Sequence, residues 1–432
     1  MSAGVDMESS GQSTAVLVIG GGVAGMEASL LLANSGKKVY LVEKTSYIGG
    51  NVIKFEEVFP NMECATCMIA PKQQELLQNN NIELLRLSQV EAVSGSVGDF
   101  TVKVRRKASY VDLENCIGCN ACFDPCPVEV NNEFEEGLSK RKAVYIPCAG
   151  ALPNVPVIDT ENCLRFKGKD CQACQEACMF EAIDYTQKDE ELEIKVGAII
   201  VATGFKSFDP GAIDRYMYKK YDNVYSAMEV ERLLASNGPT QGQVVLKNGE
   251  APGSIAIIHC VGREEKGYCS SVCCMASLKV SHFVKNKLPD VKITQFYSDL
   301  CIPGRAYQNF YEEVKESGVA FIRAEVIEIS ESGKKLAVKY KTDEGKEDAL
   351  TVDMVVLNPA LEPQADSSEL AKVLNIPQGE DGFFSEKEPD LTSVATARDG
   401  IFIAGCAQNP KDIAETMAEA EATVGRILSL SR

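Results

Sequence analysis

The 432-residue sequence predicts an α/β protein with a Rossmann-type domain, a second nucleotide-binding-like domain and a small α+β module inserted at 108–186. Three observations predict it. An apolar strand over 14–19 runs into Gly20-Gly21-Gly22-Val23-Ala24-Gly25, then a helical pattern stops at Gly36 and a strand over 38–42 ends at Glu43, which is a βαβ unit. Strand patterns resume at 194–204, a second α/β stretch fills 254–349, and a strand–loop–helix closes the chain over 400–427. Between them, 108–186 is dominated by cysteine, proline and short polar stretches, a composition that needs staples in place of an apolar core.

The expected boundaries place the first domain at 14–107, 187–250 and 350–432, the insert at 108–186 and the second domain at 251–349. The polar stretch 1–13 reads as a disordered tail. Residues 49–71 read as loop. A net charge of −18 makes nucleic acid an unfavourable partner, since phosphate binding needs a basic footprint, whereas a basic protein could be steered by such a field. No run of 18 apolar residues occurs, so no membrane insertion is expected and any membrane link would come through a partner. Seventeen cysteines, an odd number with no leader sequence before them, point to metal or redox use in a reducing cytoplasm more than to a disulfide framework.

Gly20, Gly22 and Gly25 have the G-x-G-x-x-G spacing of a dinucleotide cradle: a tight turn, a close approach to pyrophosphate, and close helix–strand packing. The diphosphate sits at the helix N-terminus, and Glu43 is placed to accept ribose hydroxyls. Lys44 and Gly50 are further candidate contacts. The late Thr203-Gly204 after a strand and the segment running from 400 to Gly405 resemble the two-dinucleotide-domain frame of thioredoxin reductase, in which the first site holds FAD and the terminal helix covers the flavin. Asp412 and Glu415 form a D-x-x-E cap for that helix, whose N-terminus, with Lys411, would favour negative charge on the reduced cofactor. Lys411 reads equally as a surface lysine. The second domain departs from the frame. Its strand over 254–259 leads into Cys260-Val261-Gly262-Arg263-Glu264-Glu265, where a cysteine and a glutamate replace two glycines, so its nicotinamide site is expected to be lost.

Cys116, Cys119, Cys122 and Cys126 form C-x2-C-x2-C-x3-C before Pro127, and Cys163, Cys171, Cys174 and Cys178 repeat it with a longer first gap and Met179 in place of proline. This is the bacterial two-cluster signature, in which the fourth cysteine of each run serves the other cluster. One [4Fe–4S] cluster is therefore expected on Cys116, Cys119, Cys122 and Cys178, and the second on Cys163, Cys171, Cys174 and Cys126. Cys260, Cys269, Cys273 and Cys274 are read as ligands of a further iron–sulfur cluster, against burial as small apolar residues. Cys64 and Cys67 form a C-x2-C open to three readings: cluster ligands, a redox disulfide beside the flavin, or structural thiols. Cys148, Cys301 and Cys406 read as core residues, and His259 and His282 as structural.

Together the glycine motif, FPNMECATCMIAP, ENCIGCNACFDPCPVEV, GLSKRKAVYIP, HCVGREEKGYCSSVCCMASLK and GCAQNPKDIAET resemble the A-type subunit of heterodisulfide reductase over about 14–430. The resemblance implies an FAD-bearing, thioredoxin-reductase-like core with an inserted ferredoxin module. It also implies work within an anaerobic multi-subunit oxidoreductase, passing electrons between FAD and [4Fe–4S] clusters to partners. Those partners would be heterodisulfide reductase B/C-like subunits or a membrane quinone-reactive subunit, with a ferredoxin as donor or acceptor, in a hetero-oligomer. In full-length members the FAD is proposed to bifurcate electrons; for a chain that opens on the glycine motif and ends after its last helix, that extension stays open. Two other functions compete: a stand-alone NAD(P)H-dependent disulfide reductase using Cys64 and Cys67, and a non-catalytic wiring subunit.

Overall fold

The computed structural model describes residues 14–388, 391 and 394–430; the expected tail, 1–13, lies outside them. The first sheet has five parallel strands in the order Ile401–Ile403, Ala198–Val201, Val16–Ile19, Val39–Val42, Ile82–Leu85. Its central strands, VLVI and AIIV, are apolar at every position because both faces are covered. One face packs under the helices Val23–Asn34 and Ile413–Leu430. The other meets Phe100, Val102 and Val104 of a three-stranded antiparallel sheet. The first helix ends where the glycine predicts: Gly36 has φ +81°, and Lys37 donates its N–H to Leu32 O at 3.0 Å.

The second sheet has seven strands, ordered Val224–Ser226, Met354–Pro359, Ser254–Val261, Lys292–Tyr297, Ala320–Ser332, Lys335–Thr342, Glu347–Val352. The first five run parallel and the last two close it as an antiparallel meander. Val224–Ser226 and Met354–Pro359 fall outside the boundaries expected at 251 and 349. Met354–Pro359 pairs parallel with Val224–Ser226 on one side and Ser254–Val261 on the other, so this sheet draws on residues from 224 to 359.

The insert leaves the first domain at one point and returns beside it. Strands Asp99–Arg106 and Glu190–Val196 pair antiparallel with Arg106 opposite Glu190. The junction is tied by the Arg105–Asp189 ion pair (2.7 Å) and by the Ala108 N–H on Asp189 (3.1 Å). Within it two small antiparallel pairs, Glu129–Asn131 with Lys140–Lys142 and Val144–Tyr145 with Val157–Ile158, accompany the short helix Ala173–Glu176. Of the ten residues in its buried core, four are cysteines: Cys122, Cys126, Cys163 and Cys174. Beyond the core, Arg232, fully buried, holds Glu135 with two hydrogen bonds (2.8 and 3.1 Å) and donates to Lys54 O (2.6 Å), riveting insert, second unit and first domain together.

One local reading is corrected. Residues 65–71 are not loop: the helix Ala65–Gln78 contains Pro71, and Cys64 is its N-cap, its sulfur accepting the Cys67 N–H at 3.2 Å. Thiols are not usual caps, which is why the start was not legible.

Candidate functional site

The glycine turn is built as the spacing requires. A Cβ on Gly20 would lie 2.3 Å from Ala202 O, and one on Gly25 would lie 1.8 Å from Gly20 O, so both positions exclude any side chain. Gly22 differs: its Cβ would meet nothing closer than Gly50 Cα at 3.8 Å, which leaves space above the helix N-terminus for a ligand. Glu43, buried, accepts the N–H groups of Gly21 and Thr45, each at 2.7 Å. This fixes its carboxylate beneath the cradle while each oxygen keeps a lone pair for a hydroxyl. Gly21, passed over by the three-glycine spacing, leaves little room for a side chain: its Cβ would stand 2.9 Å from Ile48 Cγ2 and 3.1 Å from that carboxylate.

A single cavity of ≈ 790 Å³ opens from this cradle. It is lined by Gly20, Gly22, Glu43, Lys44, Gly50, Thr203, Gly204 and Lys411, and this volume suits a cofactor. Gly25 and Gly405 stand behind the wall; the Gly405 N–H is taken by Glu419 Oε2 at 2.8 Å. Thr203 Oγ1 is buried in the wall without a hydrogen-bond partner among the described residues, a polar atom that a bound dinucleotide would satisfy. Glycine cradle, acidic acceptor and orphaned hydroxyl fit FAD. Asp412 and Glu415 form the reciprocal cap as expected, with Glu415 N–H on Asp412 Oδ1 (2.8 Å) and Asp412 N–H on Glu415 Oε2 (3.1 Å). Lys411 is buried, not a surface lysine, but its ammonium is paired with Glu419 and bonded to Gln408 Oε1 (2.8 Å). Its charge is therefore balanced locally, which leaves the helix N-terminus as the attraction for negative charge. Sequence reasoning missed Tyr47, Gln89, Tyr307 and Gln364 on the wall, because they come from four separate segments with no shared motif.

The insert sorts its eight cysteines into two quartets. Cys116, Cys119, Cys122 and Cys178 line one small cavity; Cys126, Cys163, Cys171 and Cys174 line another. Among the described residues no three His, Cys, Asp or Glu side chains converge tightly enough for a single metal ion. The quartets ring a volume, whereas a mononuclear tetrahedral centre brings sulfurs to about 3.8 Å of one another. A thiolate-bound cluster fits such a ring. Burial pushes the Cys122 thiol up to about 12 and the Cys174 thiol up, so unligated they are neutral.

The third cysteine group stands where the frame's nicotinamide turn would be. Cys260 keeps the left-handed backbone of the glycine it replaces, φ +59°, and Gly262 has φ +84° with a Cβ that would strike the Phe208 ring at 2.6 Å. After this turn comes only the four-residue helix Arg263–Lys266; the long helix starts at Cys273, with no side-chain cap. Cys273 and Cys274 are buried at that start and Cys269 is exposed. Cys301, read as a core residue, is here too: its N–H donates to Cys274 Sγ at 3.4 Å. Cys274 is drawn toward thiolate, first by the Cys273 thiol hydrogen-bonded to it and then by His259. His259 bonds Gln295 through Nε2 (2.8 Å), and its buried Nδ1 has no geometrically complete partner among the described residues. Cys273 also lines the 790 Å³ cavity, so this group and the flavin site share a wall.

The other cysteines are separate. Cys64 and Cys67 are exposed and hydrogen-bonded to each other, which holds the Cys67 thiol up. Their neighbours Glu63 and Met68 reach the cavity wall. Cys148 and Cys406 are each pushed up to about 11 by burial, as core thiols are.

Residues 15–136 match the FAD dependent oxidoreductase family model. The chain is 40% identical over 419 residues to the A-type subunit of the H(2):CoB-CoM heterodisulfide,ferredoxin reductase of Methanothermobacter thermautotrophicus, covering 95% of this chain and 63% of that protein. It is 43% identical to the first of the A-type iron-sulfur subunits of CoB--CoM heterodisulfide reductase in Methanopyrus kandleri, covering 94% and 62%. Against a protein of Archaeoglobus profundus that is likewise named for its likeness to the A-type subunit of heterodisulfide reductase it is 39% identical, covering 96% and 66%. The chain thus spans less than two thirds of these relatives. Among solved structures, the thioredoxin reductase of T. acidophilum superposes with a TM-score of 0.53 at 15% identity, covering 97% of this chain and 99% of that one. That likeness establishes the two-dinucleotide-domain frame, and along 94–96% of its length the chain is similar in sequence to heterodisulfide reductase A-type subunits.

Proposed function

We propose that the chain is an FAD- and iron–sulfur-dependent electron-transfer subunit of a larger oxidoreductase, with [4Fe–4S] clusters on the two quartets of the insert and a further cluster at Cys260, Cys269, Cys273 and Cys274. The observation that carries this reading is the shared wall: one cavity runs from the cradle at Gly20–Gly22 to Cys273. When bound, FAD supplies exchange of an electron pair and the clusters supply one-electron steps. The chain's own residues divide the remaining work. The turn at Gly20–Gly25 and Glu43 bind the dinucleotide, and the capped helix at Asp412 presents its N-terminus to the flavin end. Lys279, buried and paired with Glu231 at 2.8 Å, adds a fixed charge pair to the cavity that Cys273 also lines.

The retained backbone of Cys260 with its lost glycine chemistry argues against a stand-alone NAD(P)H-dependent disulfide reductase. Terminal chemistry then belongs to partners: B/C-like heterodisulfide reductase subunits, or a membrane subunit that handles quinone. No helix among the described residues is long and apolar enough to cross a membrane. The test is anaerobic affinity purification. The expected product holds one FAD and about twelve irons per chain, three four-iron clusters, and is not bleached by NADH or NADPH; co-purifying chains name the partner. FAD without iron, or rapid bleaching by NADH, would refute the reading.

A further inference from the structure

Natural monomers rarely leave apolar side chains clustered in water. Five of the ten exposed large apolar residues among the described residues, Leu113, Ile117, Phe166, Met179 and Phe180, fall within 108–186. Phe166 is accounted for by its contact with the Tyr110 ring at 4.5 Å. The other four lie on the segments that carry one quartet. Ile117 and Phe180 line the cavity of Cys116, Cys119, Cys122 and Cys178. Met179, the residue that replaces the usual proline after Cys178, is 86% exposed. The Asp112 N–H bonds Ala182 O at 2.7 Å, which brings Leu113 beside them. Cys119 is exposed within the same face.

The stretches 111–139 and 170–187, which carry this quartet, contain acidic residues and no lysine or arginine. Glu114, Glu176 and Glu181 are exposed there. Arg86, which lies near Cys116, is buried and bonded to Ser46 O, and its neighbour Arg106 is paired with Glu190. The second quartet is flanked differently, by Arg165, Lys167 and Lys169 beside Cys163 and Cys171. A methionine and an isoleucine over a redox site, ringed by carboxylates, form an adaptable apolar contact with charge steering around it.

We propose that this face is the docking surface for a one-electron carrier protein whose own redox centre opens in an apolar patch ringed by lysine or arginine. The proposal rests on the cluster reading of that quartet and adds which of the two sites exchanges electrons with the partner and what charge the partner bears. In the step, one electron leaves the reduced cluster and one ferric centre of the carrier becomes ferrous. The low-potential side is charged beforehand by dithionite, which is then removed.

The experiment mixes reduced holoprotein anaerobically with ferric cytochrome c (basic rim), cytochrome b5 (acidic rim) or ferricyanide (no docking needed). At low salt the wild type should prefer cytochrome c. The triple variant Glu114→Lys/Glu176→Lys/Glu181→Lys should lower that rate about tenfold or more and favour cytochrome b5. Ile117→Asn/Met179→Asn should lower it at high salt as well. Iron content and ferricyanide rates should not change. Iron-replete variants with unchanged cytochrome rates would overturn the docking surface alone; a wild type without iron would overturn the cluster reading and the surface with it. A wild type that sediments as a dimer and an Ile117→Asn/Met179→Asn variant that sediments as a monomer would assign the face to a second copy instead, and also overturn the proposal.

Discussion

Replacing Cys260 by glycine separates what the fold needs at that position from what the chemistry needs. Cys260 holds φ +59°, a conformation that costs an L-residue about 1–2 kcal/mol and glycine nothing. Glycine in turn loosens the unfolded chain by about 0.4–1 kcal/mol. The side chain is only half-buried, so little packing is lost. The difference leaves Cys260→Gly equal in stability to the parent or more stable by up to about 1.6 kcal/mol, measured by urea unfolding of the iron-free protein. If the thiol is a cluster ligand, the same variant loses about four irons per chain, with the matching signal missing from the reduced protein's paramagnetic resonance spectrum. Full iron retention, or a stability loss beyond about 1 kcal/mol, would refute the argument that a cysteine was placed on a glycine backbone for its sulfur.

Three further outcomes are expected. Cys301→Ser should keep all the iron, because its hydrogen bond to Cys274 comes from the backbone N–H; loss of iron in elemental analysis would bring Cys301 into the ligand set. Gly22→Ala should fold normally, since its Cβ has 3.8 Å to the nearest atom, but should purify without FAD, read from the flavin absorbance, because the methyl occupies the pyrophosphate's approach. Arg232→Met strands the Glu135 carboxylate in the interior and should cost about 3–5 kcal/mol in denaturant unfolding, most of it recovered by adding Glu135→Leu.

The parts legible in the sequence are those whose partners lie close along the chain. The strand, glycine turn, helix and Glu43 are one continuous stretch, and the D-x-x-E cap at Asp412 is local hydrogen bonding. The quartets could be read because the ferredoxin-type spacing carries its own crossing rule, and the two cavities collect the same cysteines. What was hidden depends on strand order. Cys301 meets Cys274 because parallel pairing sets the strand Lys292–Tyr297 beside Ser254–Val261, so the loops at their ends converge. Sheet pairing likewise moved Val224–Ser226 and Met354–Pro359 into the second unit, where each strand is too short to declare its neighbours. Arg232 and Glu135 lie 97 residues apart and carry no motif.

The junction at Arg106 and Glu190 has a consequence of its own. A segment whose ends leave a hairpin side by side can be removed and the hairpin closed by a short turn, with the antiparallel register of Asp99–Arg106 and Glu190–Val196 left intact. The insert is thus a cartridge whose removal leaves the register of that sheet alone but strands the buried Arg232 that Glu135 neutralises. A chain joined across that gap would keep the cradle at Gly20–Gly22 and the wall at Cys273, and would show how much of the traffic through the flavin chamber has a second way out.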